Sequence, residues 1–156
     1  MAHLVLNLLG TFQAILDGRP VDGFDYDKVR ALLAYLAVES DRPHRREKLI
    51  GLFWPGYPES SARRSLAQAL YSLRNALGDR EAQVPFLLVT PQAIQFNPAS
   101  DFRLDVDTFL AAVQRGGLSG LEEAVVIYRG RFLAGLSLDD CPAYDEWVAL
   151  KREALH

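Results

Sequence analysis

Leu66, Leu70, Leu73 and Leu77 recur at helical spacing and form one narrow apolar stripe. The spacing predicts a single long helix over 58–77. Pro58 suits its first position, Glu59 complements its positive start, and Gly78 suits the left-handed conformation just past its end. Before it, Leu4, Leu6 and Leu8, then Phe12, Ala14 and Leu16, alternate as two inward-facing strands, and Asp17-Gly18 is a hairpin signal. A third strand around Pro20-Val21 would close a small antiparallel sheet at its edge. A first helix over 26–40 buries Val29, Leu32, Leu33 and Leu36, with Asp25 or Asp27 as its cap. A second over 44–54 buries Leu49, Leu52 and Phe53 and shows Arg45, Arg46 and Lys48 outward. Trp54 reads as a core plug, and Pro55-Gly56-Tyr57 as a rigid connector into the long helix.

After Gly78 a polar loop over 79–85 leads into a hairpin, 86–89 and 93–96, turned at Thr90-Pro91-Gln92. Asn97-Pro98-Ala99-Ser100 then punctuates the chain, and the remaining residues read as helical. Asp105 is placed to cap a helix carrying Phe109, Leu110 and Val113 that stops at Gly116-Gly117, a second helix covers 121–128, and a third opens at Cys141-Pro142. The chain ends inside that third helix, which raises the expectation of more protein beyond it. Strands, three helices and a closing hairpin, with the third helix basic and exposed, describe a winged helix-turn-helix.

The side of the long helix away from its leucines sharpens that picture. At about 100° per residue, Ser61, Arg64, Gln68, Tyr71, Ser72 and Asn75 lie opposite the stripe, with Arg63 and Arg74 on one flank. No carboxylate comes after Glu59, whereas solubility alone would mix Glu with Arg. Such a face suits phosphates and base edges. The net charge of −3 is unhelpful as a sum, but its distribution is not even. Over 42–80, eight basic residues face three acidic ones, giving +5, while over 100–156 six face ten, giving −4. The C-terminal part should therefore stay off nucleic acid.

These residues also carry a family resemblance. Leu8-Leu9-Gly10-Thr11-Phe12, the helix from Lys28 through Ala31-Leu32-Leu33 to Tyr35-Leu36, Arg46-Glu47-Lys48-Leu49 with Leu52-Phe53-Trp54-Pro55, and Ala62-Arg63-Arg64-Ser65-Leu66 with Leu73-Arg74 resemble the DNA-binding domain of SARP-type transcriptional activators, a variant of the OmpR/PhoB-type winged helix. Leu104-Asp105-Val106-Asp107-Thr108-Phe109, Tyr128-Arg129-Gly130 with Phe132-Leu133, and Trp147 with Arg152 resemble the start of the bacterial transcriptional activator domain that adjoins it. The resemblance implies an α+β fold: an N-terminal antiparallel sheet, three helices and a C-terminal hairpin wing over 1–99, then an all-α, tetratricopeptide-like segment over 100–156. It also implies double-stranded DNA as partner, direct repeats upstream of promoters on which protomers can self-associate, and recruitment of RNA polymerase holoenzyme.

On this reading Arg64, Gln68, Tyr71, Ser72 and Asn75 read bases. Arg45, Arg46, Lys48, Arg63, Arg74 and Arg80 contact phosphates, although Arg63 and Arg74 have Glu59 and Asp79 as local alternatives, and the residues of the second helix could equally be solvated surface. The turn Thr90-Pro91-Gln92 carries no Arg or Lys, so a charged wing contact would fall to Arg80. By analogy with the fold class, Pro55, Gly56 and Tyr57 face the polymerase. A protein-interaction scaffold is the alternative from another class.

Enzymatic readings find little. His3, His44 and His156 are isolated, and no HExxH, Walker-type or CxxC pattern is present, so no catalytic residue, metal or cofactor is expected. Asp105 with Asp107, and Asp139-Asp140, are explained by capping and solvation. Cys141 is alone, so no intrachain disulfide forms. With neither a signal peptide nor an apolar run near the roughly 20 residues of a membrane span, the expected location is the cytoplasm.

Overall fold

The computed structural model describes every residue except Met1, Asp25 and His156, and gives Glu81 as backbone only. Strands β1 (Leu4–Asn7), β2 (Gln13–Leu16) and β3 (Arg19–Pro20) form the expected antiparallel meander. Leu4, Leu6 and Ala14 are buried, and Asp17 and Gly18 both take positive φ in the turn between β2 and β3. Pro20 sits on the edge strand, where its missing N–H costs no ladder bond.

Helix α1 (Asp27–Val38) comes next. Its four expected core residues are buried, and so are Ala31, Ala34, Tyr35 and Ala37, because it is enclosed by its neighbours rather than packed on one side. Asp27 does not take the cap position at its start. Asp27 lies in the first turn and pairs with Arg30 at 3.1 Å, Tyr26 occupies the cap position without a side-chain cap bond, and Asp25 lies outside the described residues.

The second helix begins later than the sequence suggests. His44–Arg45 is a short strand, β4, and α2 spans Arg46–Phe53. Strand β4 pairs antiparallel with β6 (Ala93–Phe96), which pairs with β5 (Leu87–Val89), so the wing is three-stranded. His44 is buried there, its Nε2 2.7 Å from the Glu39 carbonyl oxygen. Trp54 is buried as expected.

Helix α3 (Glu59–Ala76) is the long helix, with Pro58 and Leu77 at its cap positions, Gly78 left-handed at φ 66° and a 3-10 turn at Asp79–Glu81 beyond it. Leu66, Leu70, Leu73 and Leu77 are all buried.

The segment read as all-helical opens instead with β7 (Phe102–Leu104), which lies parallel to β1 and gives the first sheet the order β3-β2-β1-β7. Parallel pairing joins segments far apart in sequence and leaves no turn signal to read. Helices α4 (Asp105–Arg115), α5 (Gly117–Ile127) and α6 (Pro142–Leu155) complete the chain. Leu104, not Asp105, takes the cap position of α4, and Asp105 stands in the first turn. Its carboxylate, 6 % exposed, accepts hydrogen bonds from the Leu8 and Leu9 amides at 2.8 Å. Gly120 lets α5 close on α4, since a Cβ there would stand 2.6 Å from the Ala112 carbonyl oxygen.

Helix α6 crosses α1 and α2. The Tyr144 hydroxyl donates to the Ala31 carbonyl at 3.1 Å, Trp147 meets Tyr35 edge-on at 4.9 Å between centroids, and Lys28 pairs with Asp140 at 2.8 Å. Segments 1–99 and 100–156 thus contribute to one continuous core.

Candidate nucleic-acid interface

Helix α3 buries more than its leucines. Ala62 and Ala69 are also fully enclosed, so nearly half of the helix circumference faces the core. The exposed arc that remains carries Ser60, Ser61, Arg63, Arg64, Ala67, Gln68, Tyr71 and Asn75. Four of the five expected base readers, Arg64, Gln68, Tyr71 and Asn75, are therefore in the open. Ser72 is not. It is 8 % exposed, because it sits at the rim where the buried alanines widen the core-facing sector. Ser60 and Ala67, which the leucine spacing does not single out, stand on the arc in its place.

The expected phosphate contacts divide in two. Arg45, Lys48, Arg63 and Arg80 are exposed. Arg63 holds Glu59 at 2.6 Å, the local pairing that its spacing allowed, and Arg45 lies 3.9 Å from Glu47. Both are surface pairs of small worth that a phosphate can displace. Arg46 and Arg74 are half-buried, and Arg46 is bonded within the protein. Arg46 donates through Nε and Nη2 to the Thr90 carbonyl, at 3.2 and 2.9 Å, and so braces α2 against the wing turn. Arg74 places its charge near Asp79, and its buried Nε has no hydrogen-bond partner among the described residues.

Asp79 is the positioning residue that sequence reading missed. The chain reverses at Gly78, and the Asp79 carboxylate then accepts the Phe86 amide at 2.6 Å and the Leu87 amide at 2.9 Å. It ties the end of α3 to the first strand of the wing. Burial raises its pKa, an effect that the two amides and the Arg74 charge only partly offset. Its place a few residues before a strand was visible in the sequence, but only as that of a loop residue. Arg80, next in the chain, lays its guanidinium over the Tyr71 ring, 4.2 Å from the centroid. Thr90 Oγ1 accepts the Ala93 amide at 3.0 Å and holds the wing turn.

The connector after α2 lies beside the C-terminal segment. Gly56 takes φ 79°, Tyr57 is exposed, and Lys28 lies 5.3 Å from the Tyr57 ring centroid and 5.7 Å from that of Trp54 while pairing with Asp140. That lysine bond holds the Asp140 carboxyl below its usual range.

Among the described residues no group of three or more His, Cys, Asp or Glu stands where it could hold a metal ion. The Cys141 thiol is buried, donates to the Phe53 carbonyl at 3.3 Å and is pushed up by burial to about 11, so it is no nucleophile. Among those residues no helix is long and apolar enough to cross a membrane.

No family model matches the chain. Over 76 residues, 49 % of its length, it is 39 % identical to the transcriptional regulatory protein EmbR of Mycobacterium tuberculosis, and equally to that of Mycobacterium bovis. The chain spans about a fifth of these curated relatives, 19 % of their length. Among solved structures, Mycobacterium tuberculosis EmbR in complex with a low affinity phosphopeptide matches with a TM-score of 0.76 at 27 % identity, over 99 % of this chain and 43 % of that one. The chain is thus homologous to a transcriptional regulator, and the likeness supports the SARP-type resemblance.

Proposed function

We propose that this chain is the double-stranded DNA-binding part of a transcriptional activator, with α3 in the major groove. The carrying observation is the exposed arc of α3, free of carboxylate beyond its first turn, with the wing turn at Pro91 beside Arg63 and Arg80 stacked over Tyr71. A helix with that lining matches the groove's hydrogen-bonding edges, and the flanking cations match the phosphates. Arg64, Gln68, Tyr71 and Asn75 read bases, and Arg45, Lys48, Arg63 and Arg80 hold the strands. Arg46 and Arg74 set the wing and the helix end. The part that touches DNA lies within 1–99, and 100–156 belongs to an activator domain. The loop Pro55-Gly56-Tyr57 faces RNA polymerase, protomers sit on direct repeats, and the site of action is the cytoplasm. No chemistry is done.

Mobility shift on duplexes selected from a random pool tests this. Arg64→Ala should lose about 1–3 kcal/mol and relax preference at one position, whereas Arg63→Ala should weaken all sequences alike. No shift on any duplex at low salt would overturn the proposal.

A second reading has its own observation. Leu118, Leu121 and Val125 form a stripe on α5 that is 56–75 % exposed, a surface suited to a protein partner. In that case the winged helix is a scaffold, and duplex DNA goes unbound while the helical segment captures a partner.

A further inference from the structure

Resting on the DNA-binding reading, we infer that α3 carries a receptor for the C5-methyl group of thymine, formed by Ala67 and Tyr71. The exposed arc is not uniformly polar. An open hollow of about 510 Å³ between the start of α1 and α3 is lined by Tyr26, Arg64, Ala67, Gln68, Tyr71 and Ser72. Ala67 and Tyr71 stand four residues apart, one above the other on the same face.

The Tyr71 ring is held in place by Arg80, whose guanidinium stacks over it at 4.2 Å, while the ring also borders the hollow. It thus offers a fixed apolar wall, and Ala67 a methyl-sized floor. Arg64 and Gln68 border the same hollow and make no hydrogen bond or ion pair among the described residues, so their donors and acceptors are available.

The major groove presents hydrogen-bonding atoms from every base and only one apolar group, the thymine methyl. An alanine beside an aromatic wall has no other groove-edge partner to match. The polar neighbours agree with this assignment, because Gln forms a bidentate pair with adenine and Arg with guanine. The site read by the middle of α3 should therefore place a thymine beside purines read by Gln68 and Arg64.

The experiment starts from duplexes selected by the parent protein. Each thymine is replaced in turn by deoxyuridine, which removes the methyl and leaves pairing intact, and affinity is measured by fluorescence anisotropy. At one thymine in each half-site the parent should lose about four-fold, the worth of one buried methyl. In Ala67→Ser, which keeps the helix, that loss should vanish. Selected duplexes that lack thymine, or uracil duplexes bound as tightly as the originals at every position, would overturn the inference. So would an undiminished loss in Ala67→Ser. Steep salt dependence with no methyl effect leaves DNA binding standing and removes only the receptor, whereas absence of any duplex binding removes the underlying reading.

Discussion

Salt titration of duplex binding distinguishes the cations that sequence alone points to from those the structure leaves free. Each phosphate neutralised releases counterions, and the slope of log affinity against log salt is about −0.9 per contact on B-DNA. Six contacts, with Arg46 and Arg74 included, give a slope of about −5.4, and affinity would fall about 1,800-fold between 50 and 200 mM salt. The structure leaves Arg45, Lys48, Arg63 and Arg80 exposed and commits Arg46 to Thr90 and Arg74 to the neighbourhood of Asp79. Four contacts give about −3.6, a fall of only about 150-fold over the same range. The Arg63 pair with Glu59 does not change this count, since an exposed i,i+4 pair is worth about 0.3–0.5 kcal/mol. Fluorescence anisotropy on a selected duplex, at salt steps and constant pH, measures the slope directly. Lys48→Ala and Arg80→Ala should each flatten it by about one unit, and Arg46→Ala should leave it where it is. A parent slope near −5.4, or a unit lost in Arg46→Ala, would refute the division of these residues drawn from their internal contacts.

Three further outcomes rest on particular contacts. Gln68→Ala should relax base preference at one position at a cost of about 1–3 kcal/mol, while buried Ser72→Ala should leave preference unchanged at every position, as judged by selection with each variant. Tyr144→Phe removes the 3.1 Å bond to the Ala31 carbonyl and should cost about 1 kcal/mol, read as a thermal midpoint lowered by about 2–4 °C. Burial pushes the Glu39 carboxyl up, but bonds from Trp147 and Lys151 and the charges of Lys151 and Arg42 outweigh it and hold the pKa below its usual 4.5. The unfolded chain then binds the extra proton first, so this contribution to stability is complete above pH 4.5 and is lost as pH falls through the lower folded value. Glu39→Gln should therefore flatten the acid limb of a midpoint-against-pH curve, and an unchanged limb would count against the Trp147 and Lys151 contacts.

Helix α3 and the wing hairpin were legible because each rests on a local signal: leucines at helical spacing closed by Gly78, and two apolar runs around Thr90-Pro91-Gln92. The homology to EmbR agrees with the transcriptional reading drawn from the same residues. The features that escaped were non-local. His44–Arg45 is a strand only because Ala93 and Ile94 lie beside it, and Phe102–Leu104 only because β1 does. Ser72 was misplaced for a different reason: alanines add little to a hydrophobic stripe yet fill space in a core, so leucine spacing understates the buried sector of α3. Asp79 and Asp105 look like loop and cap residues until their carboxylates are seen on backbone amides elsewhere in the fold. Arg46 likewise reads as surface until Thr90 is placed opposite it.

The parallel seating of β7 against β1 makes the C-terminal segment a splint for the N-terminal one. A polypeptide cut after residue 99 would leave one whole side of β1 as an unpaired sheet edge and strip the Asp105 carboxylate from the Leu8 and Leu9 amides. Such a fragment would seek another strand and find it in its own kind, edge to edge. Conversely, a force or a partner that drew the C-terminal helices aside would be felt at the sheet itself, so the half that carries α3 and whatever handles the helices are mechanically one lever.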